Sequence, residues 1–230
     1  MSYMFKGIFI TGTDTGVGKT YLASGIAAEM RHRGVNVGVM KPAETGCRMR
    51  GGRLVPRDAR CLMKAAGVDD SLALVNPYRF RRPLAPSVAA RLAGKKIKPD
   101  RIVVACRELS RRHDFMIVEG AGGIMVPLRG SYTYLDLALA LALPVLIVAR
   151  PSLGTINHTL LTIAALKERR LEISGIVINH TREQKEGLAE MTNPAVMESI
   201  SGVKIVGTIP FGSRRFDDVV EHLNNGPLPS

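Results

Sequence analysis

A phosphate-binding sequence stands near the start of the chain, at residues 12–20. It reads G-x-x-x-x-G-K-T and lies between an apolar, strand-like run and a helix-like segment, which is the context that such a loop requires. Glycines let successive backbone N–H groups turn toward phosphate oxygens. Lys19 supplies a cation for the outer phosphates, and the Thr20 hydroxyl can ligate Mg²⁺. The spacing predicts a nucleotide site, but it does not by itself select a reaction.

Two acids are candidates for holding the metal or its water shell. Glu119 ends the apolar run 115–118, and an acid at the carboxyl end of a central strand faces the crevice where ligands bind. The small residues 120–123 follow and allow a ligand or another backbone to approach closely. Asp58 precedes a helix-like stretch, so we expect it to cap that helix or to contact Mg²⁺, and the two roles are compatible.

A second lysine follows the second strand. Lys41 precedes Pro42, which removes a backbone donor and fixes the direction of the turn. At the carboxyl end of a parallel strand, Lys41 would lie next to the phosphate loop, whereas an ordinary surface lysine would not. Polar groups of Thr15, Lys41 and Thr45 are predicted to line a small-molecule site beside the γ-phosphate.

Two other strand ends carry polar groups. Asn179 ends the apolar run 176–178, where its amide can recognise a base by paired hydrogen bonds or can cap a turn. The segment 154–157 opens a helix-like stretch, and a helix start is a ready site for a carboxylate. His158, just beyond it, is more often a structural hydrogen-bond donor than a catalytic base.

Strand-length apolar runs alternate with helix-length segments along the chain. The runs are 7–11, 35–40, 115–118, 145–148, 176–178 and 205–207, and the clearest helical segments are 19–33 and 155–169. Strands that are apolar on both faces and separated by helices predict an α/β fold with a mostly parallel central sheet and helices on both faces. We expect a single phosphate-loop domain over 1–224 and a C-terminal tail over 225–230.

The stretch 42–99 breaks this alternation. It is rich in Arg, Pro and Gly and is predicted to be a long insertion without strands, with short helices around 58–66 and 85–93. Insertions of this length in a compact domain usually carry function.

Composition narrows the class of protein. Thirty-two Lys and Arg against twenty Asp and Glu give a net charge of +12, which favours anionic partners. Aromatic residues make up only 5% and Trp is absent, so a stacking platform for single-stranded nucleic acid is not expected. The three cysteines are widely spaced and no apolar stretch is long enough to span a bilayer,. We therefore expect a soluble cytoplasmic protein without nucleic-acid or membrane partners.

Nucleotide switches and partitioning ATPases, which bind protein or DNA, share the phosphate loop and remain an alternative. The partitioning type carries a second lysine five residues before the conserved one, and this chain has Asp14 there. A synthetase coupled to an amidase would need a further glutaminase domain, and the chain is too short to hold one beside the α/β domain.

Taken in order, the motifs resemble those of the dethiobiotin synthetases of biotin biosynthesis. The resemblance covers most of the chain and is carried by residues 12–20, Lys41 and Pro42, Asp58 and Ala59, 75–78, 119–123, 153–158 and 207–210.

This resemblance implies an ATP- and Mg²⁺-dependent ligase that uses 7,8-diaminononanoate and CO₂, with the two catalytic lysines Lys19 and Lys41. It implies a homodimer with shared active sites. Metal ligands would be Thr20, Asp58 and Glu119, and the diamine would contact Thr15, Lys41, Thr45, Gly154, Thr155, Ile156 and Asn157. Nucleotide contacts would come from Gly16, Val17, Gly18, Lys19, Thr20, Tyr21, Asp58, Glu119, Gly120, Ala121, Gly122, Asn179, His180, Ile209, Pro210 and Phe211.

The chain departs from the family pattern at two of these positions. Gly16 replaces an acidic residue found in some members, which removes a carboxylate near the substrate amines. His180 follows Asn179 where an acid is common. The choice between ATP and other nucleoside triphosphates stays open at this stage.

Overall fold

The computed structural model describes residues 5–183 and 187–225. Their elements, in chain order, are β1 (Gly7–Gly12), α1 (Lys19–His32), β2 (Val37–Met40), β3 (Ala43–Glu44), β4 (Arg48–Arg50), β5 (Arg53–Val55), α2 (Arg57–Ala66), α3 (Leu72–Val75), β6 (Tyr78–Arg79), α4 (Pro86–Leu92), α5 (Pro99–Ser110), β7 (Phe115–Gly123), β8 (Pro127–Arg129), β9 (Tyr132–Thr133), α6 (Tyr134–Leu141), β10 (Val145–Ala149), α7 (Thr155–Glu168), β11 (Ile173–Asn179), α8 (Leu188–Ser201), β12 (Ile205–Ile209) and α9 (Asp217–Asn225).

Six parallel strands form the central sheet, in the order β12-β11-β10-β1-β7-β2. Every residue of β2 and of β10 is buried, as expected for a sheet covered on both faces. The predicted α/β class with a parallel sheet is therefore confirmed. Because the strands run the same way, their carboxyl ends meet at one edge, where ligands bind in such folds.

Helix α1 illustrates how the local sequence specifies this arrangement. Its apolar residues recur at helical spacing, and Leu22, Ile26, Ala27 and Met30 are all buried. The helix ends at His32, just before Gly34, whose φ of +83° suits a chain reversal that other residues rarely adopt,.

The insertion contains strands, so the expectation of a strand-free segment over 42–99 was wrong. β3 pairs with β6 in parallel, and β4 pairs with β5 as an antiparallel hairpin. The hairpin turns at Gly51 and Gly52, which both have positive φ, and two such residues favour a tight hairpin turn. These strands have two or three residues each, too few for a recognisable alternation of apolar residues.

Two other expectations concern the tail and the membrane. Helix α9 runs to Asn225, one residue into the predicted tail, and residues 226–230 lie outside the described residues. Within the described parts of the chain, no helix is both long enough and apolar enough to cross a bilayer.

Candidate active site

A cleft of about 600 Å³ opens where the phosphate loop meets the carboxyl ends of β2 and β7. Most residues predicted for the phosphate, metal and diamine sites line it: Thr15, Gly16, Gly18, Lys19, Thr20, Tyr21, Lys41, Thr45, Asp58, Glu119, Ala121 and Gly122. Other lining residues, which the sequence did not single out, are Glu44, Val126 and the segment 83–86. The structure thus brings together residues from five separate parts of the chain.

The phosphate loop has the backbone that its glycines permit. Gly16 and Gly18 have φ values of +79° and +87°, in the left-handed region that glycine adopts readily. The Lys19 ammonium donates to the Asp14 carbonyl at 3.1 Å. Burial and, after it, the nearby positive charge of Lys41 lower the pKa of Lys19 to about 8, against the attraction of the surrounding acids. Lys19 is therefore a cation that a bound phosphate would stabilise.

Lys41 is held from three sides. Its Nζ donates to Glu119 Oε1 at 2.5 Å and to the Gly120 carbonyl at 3.1 Å, and it lies 3.2 Å from Asp58 Oδ2. Only 3% of Lys41 and none of Glu119 is exposed. Burial alone would lower the pKa of Lys41, but the attraction of Glu119 and Asp58 outweighs burial and raises it. Lys41 is therefore a fixed positive charge facing the cleft.

The backbone around Lys41 is equally constrained. Its N–H donates to the Val75 carbonyl at 2.8 Å, and its carbonyl accepts from Asn76 Nδ2 at 2.6 Å. Asn76 is completely buried, so the insertion supports the strand end that carries the lysine.

A bulge in β7 shapes the floor of the cleft. Ile10 pairs with Glu119, but Gly12 pairs with Gly123, so three residues of β7 stand opposite one residue of β1. Gly122, inside this bulge, has a φ of +69°. A Cβ on Gly123 would lie 3.4 Å from the Gly12 carbonyl oxygen. The β7 backbone thus lies against β1 at Gly123, an approach that the small residues 120–123 allow.

Asp58 does not cap helix α2, which corrects one of its two predicted roles. The N-cap is Pro56, and Asp58 lies in the first turn. Glu44 does the capping instead: its Oε1 and Oε2 accept from the backbone N–H groups of Asp58 and Ala59, both at 3.0 Å. Glu44 is 5% exposed. It fixes the helix start and leaves the Asp58 side chain free to reach Lys41.

Of the three predicted metal ligands, Thr20 contacts Glu119 directly, and Asp58 is linked to Glu119 through Lys41. The Thr20 hydroxyl donates to Glu119 Oε1 at 2.7 Å, and Glu119 Oε2 is buried without a hydrogen-bond partner. Among the described residues, no group of three or more His, Cys, Asp or Glu side chains could hold a metal ion. Two carboxylates and a hydroxyl instead suit Mg²⁺, which keeps several waters and binds substrate phosphates.

The residues predicted to read the base lie outside the cleft lining. Asn179 is 1% exposed, its Nδ2 donates to the Val17 carbonyl at 2.9 Å, and its buried Oδ1 has no partner among the described residues. His180 donates its backbone N–H to the Ile209 carbonyl at 2.9 Å. This bond joins the ends of β11 and β12, beside Pro210 and Phe211.

Sequence reasoning missed two contacts that hold the phosphate loop and its helix. The Asp14 carboxylate accepts from the Thr15 N–H at 2.6 Å and pairs with Arg150 at the end of β10. The Tyr21 hydroxyl donates to the Ser213 carbonyl, and its ring meets Phe216 edge to face. The Asp14–Arg150 and Tyr21–Ser213 contacts join residues far apart in sequence, so no local sequence pattern predicts them.

The helix start predicted to bind a carboxylate also lies outside the cleft lining. Helix α7 begins at Thr155 after Gly154, whose φ is +89°, and no side chain caps it. Thr155 is completely buried and its hydroxyl has no partner in the described parts of the chain, whereas Leu153 nearby is 89% exposed. Within one copy of the chain, the structure does not bring residues 154–157 to Lys41.

Comparison with known proteins identifies relatives over nearly the whole chain. A family model described as an AAA domain matches residues 6–214. The ATP-dependent dethiobiotin synthetase BioD of Thermodesulfovibrio yellowstonii is 42% identical over 215 residues, which cover 90% of each chain. The same enzyme of Anaeromyxobacter dehalogenans is 49% identical over 176 residues, covering 76% of this chain and 77% of the other.

Solved structures provide a comparison of the fold. The cell-division protein MinD of Pyrococcus horikoshii, solved with Mg-ADP, aligns with a TM-score of 0.56 and 17% identity over 95% of this chain and 86% of its own. At that identity the likeness establishes the shared fold alone.

Proposed function

The chain belongs to the family of ATP-dependent dethiobiotin synthetases, and we propose that the cleft described above closes the ureido ring of dethiobiotin from 7,8-diaminononanoate, CO₂ and ATP. One substrate amine takes up CO₂ as a carbamate. A carbamate oxygen then attacks the γ-phosphorus, and ADP leaves. The second amine attacks the carbonyl carbon of the resulting anhydride, loses a proton and expels phosphate as the ring closes.

The arrangement of Lys41 is the observation that carries this proposal. The lysine is buried and held by Glu119, the Gly120 carbonyl and Asp58, and it lines the same cleft as the phosphate-loop lysine Lys19. Two cations fixed in advance can stabilise the charge on a transferring phosphoryl group without rearranging. In that role Lys19 and Lys41 are catalytic.

Thr20, Asp58 and Glu119 would hold Mg²⁺ in this scheme. The unpartnered Glu119 Oε2 and the Thr20 hydroxyl are oxygen donors at the carboxyl edge of the sheet, and Mg²⁺ prefers oxygen donors. When bound, the ion neutralises part of the phosphate charge.

Thr15 and Thr45 would contact the diamine or its carbamate, because both line the cleft with Lys41. Gly16, Val17, Gly18 and Tyr21 would surround the phosphates and ribose. Gly120, Ala121 and Gly122 would border them from β7. Asn179 would read the base with Oδ1 and its second N–H, with His180, Ile209, Pro210 and Phe211 around it.

We further propose that the enzyme is a cytoplasmic homodimer with shared active sites. Residues 154–157 do not line the cleft of their own chain, yet no side chain among the described residues caps the start of α7, and a helix start favours a carboxylate. Exposed apolar side chains occur beside and along α7 and α8, at Leu153, Leu161, Leu188 and Met191. A second copy covering this surface would bring the helix start to the substrate carboxylate.

The alternative of a switch or partitioning ATPase is not favoured. The relatives in sequence are synthetases. MinD is only 17% identical to this chain, so its similarity establishes a shared fold and not a shared activity. In addition, Asp14 occupies the position of the partitioning lysine and pairs with Arg150.

A turnover assay tests the proposed reaction. Purified protein receives ATP, Mg²⁺, bicarbonate and the diamine, and phosphate release is followed. Release should require both the diamine and bicarbonate. Equal ATP hydrolysis without the diamine would contradict the proposal and favour the switch.

A further inference from the structure

A second cleft, of about 910 Å³, lies within the insertion and shares no lining residue with the active-site cleft. Eight of its lining residues are Lys or Arg, and none is acidic. We call it the basic cleft. The proposed reaction uses none of these residues, so their concentration at one place needs its own account.

One side of the basic cleft is the hairpin of the insertion. Arg50 ends β4 and Arg53 begins β5, and the turn between them is made by Gly51 and Gly52 with φ values of +55° and +71°. The hairpin therefore presents two exposed guanidinium groups at its tip. Arg79, on β6, adds a third to the cleft lining.

The segment between α4 and α5 also lines the cleft, together with residues of α2 and α5. Lys95, Lys96 and Lys98 are exposed and lie in that segment, and Arg101 follows in α5. Arg60 of α2 completes the eight. Several separate stretches of the insertion, together with the start of α5, thus contribute cations to one concavity.

These cations lack compensating acids. In the described parts of the chain, none of the eight forms an ion pair with Asp or Glu. Like charges gathered in a cleft repel each other, and the resulting potential concentrates anions. A single ligand that carries several negative charges would relieve this repulsion at many positions at once.

The uncharged residues that line the basic cleft limit the kinds of ligand that it can bind. Leu54, Leu72 and Phe80 contribute apolar surface, and the one aromatic ring with a polar group, Tyr78, is buried. The Tyr78 hydroxyl accepts from the Lys98 N–H at 2.8 Å, and Arg101 lies over its ring, 5.6 Å from the centroid. The ring face is therefore already covered and offers no stacking surface for the bases of a single strand.

We propose that the basic cleft binds a compact polyphosphate anion at a site separate from the phosphate loop. Lys and Arg side chains provide many N–H donors for phosphate oxygens, and a cleft of about 910 Å³ has room for one small molecule, whereas the covered Tyr78 ring gives the bases of a polymer nothing to stack on. The phosphates can belong to inorganic polyphosphate or to the phosphate chain of a nucleotide, which the experiment separates.

Inorganic tripolyphosphate is the probe, titrated calorimetrically into the full-length protein at low salt. Wild-type protein should show two binding events. The Lys95→Gln/Lys96→Gln variant should weaken one of them about fivefold, the loss expected when two partly exposed ionic contacts disappear. Lys19→Ala should weaken the other. The control Lys64→Gln/Lys204→Gln, which also removes two exposed lysines outside the cleft lining, should retain both events.

ATP replaces tripolyphosphate in a second series on the Lys19→Ala background. Tighter binding of ATP at the Lys95/Lys96-dependent site identifies a nucleotide, and tighter binding of tripolyphosphate identifies a free polyphosphate. A single binding event in wild-type protein, or one equally weakened in the control variant, overturns the proposal. Affinity for single-stranded oligonucleotides that rises with length and resists competition by tripolyphosphate also overturns it, in favour of nucleic acid.

Discussion

The ammonium of Lys41 lies 2.5 Å from Glu119 Oε1, with both side chains buried. The same oxygen accepts from the Thr20 hydroxyl at 2.7 Å. Thr20 of the phosphate loop and Lys41, just after β2, therefore donate to the same carboxylate oxygen of Glu119 in β7. This couples the phosphate site to the lysine proposed to act in phosphoryl transfer.

Replacing Lys41 tests this coupling. Lys41→Met should lower kcat about 10² to 10³-fold, the range typical for losing one fixed electrostatic contact to a transition state. It should also destabilise the fold by about 3 kcal/mol, because Glu119 would keep a buried charge without its partner. Turnover and urea unfolding measure the two effects. Lys64→Met, at an exposed position of α2, is the control. If both variants had the same kcat and the same free energy of unfolding, Lys41 would have no special role in catalysis.

Glu44→Gln tests the support of Asp58. An amide can accept with one oxygen only, so one N–H of the α2 start would lose its partner at a cost of about 1–2 kcal/mol. Asp58 would shift, and we expect turnover to need more Mg²⁺. Unfolding and a Mg²⁺ titration of the rate report both changes.

Glu29→Gln is the matched control for Glu44→Gln, because Glu29 pairs with Arg33 near the surface, where such pairs contribute little. If Glu44→Gln kept normal stability and normal Mg²⁺ dependence, Glu44 would have no positioning role.

The lowered pKa of Lys19 predicts proton uptake on nucleotide binding. With a pKa of about 8, the free protein is partly deprotonated at that pH, and bound phosphates raise the pKa of the neighbouring ammonium. Binding of Mg-ADP at pH 8 should therefore take up about half a proton, and the uptake should fade toward pH 6, where Lys19 is already charged.

Calorimetry in buffers of different ionisation enthalpy measures this uptake. Lys19→Arg serves as the control, because a guanidinium stays protonated throughout this range and its binding should be independent of the buffer. The prediction fails if wild-type protein and Lys19→Arg give the same buffer dependence.

Two glycines of the phosphate loop should differ in their tolerance of alanine. Both have positive φ, which costs a non-glycine residue about 1 kcal/mol. A Cβ at Gly16 meets nothing within 4 Å, whereas one at Gly18 would lie 2.0 Å from Asn179 Nδ2. Gly18→Ala should therefore displace Asn179 and weaken nucleotide binding, while Gly16→Ala should mainly lose stability. Similar nucleotide affinities for both variants would count against a role of Asn179 beside the loop.

The shared active site can be tested by mixing variants. Gly154→Glu should weaken diamine binding and leave nucleotide binding intact. Lys41→Met should instead lower kcat, because it removes a charge from the other half of the site. After subunit exchange, some interfaces would carry two unimpaired halves and activity should return. Absence of recovery despite proven exchange, or a fully active monomer, would refute the shared site.

Much of the site could be predicted because its chemistry is encoded locally. The phosphate loop needs its glycines, lysine and threonine at fixed spacing, and Glu119, Lys41 and Asn179 each come directly after an apolar run of strand-forming residues. Parallel strands then bring these ends to one edge without further information. The central sheet was predictable for the same reason.

The rest depends on contacts between distant segments. Glu44 caps a helix that begins 13 residues later, Asp14 meets Arg150, and Tyr21 meets Ser213. In each case the partner is fixed by the folded chain and not by neighbouring residues. The short strands of the insertion could not be predicted from the sequence, because they are defined by hydrogen-bonded pairing with another strand and not by their composition.

The fate of one oxygen atom tests the central claim most directly. If a carbamate oxygen attacks the γ-phosphorus, the C–O bond must break on that side when the ring closes, and the oxygen leaves with phosphate. With freshly dissolved ¹⁸O-bicarbonate, the diamine and ATP, a rapidly quenched reaction should release phosphate that carries one labelled oxygen, in step with dethiobiotin. Unlabelled phosphate, formed at the same rate without the diamine, would mean that water attacks ATP and would contradict the proposed reaction.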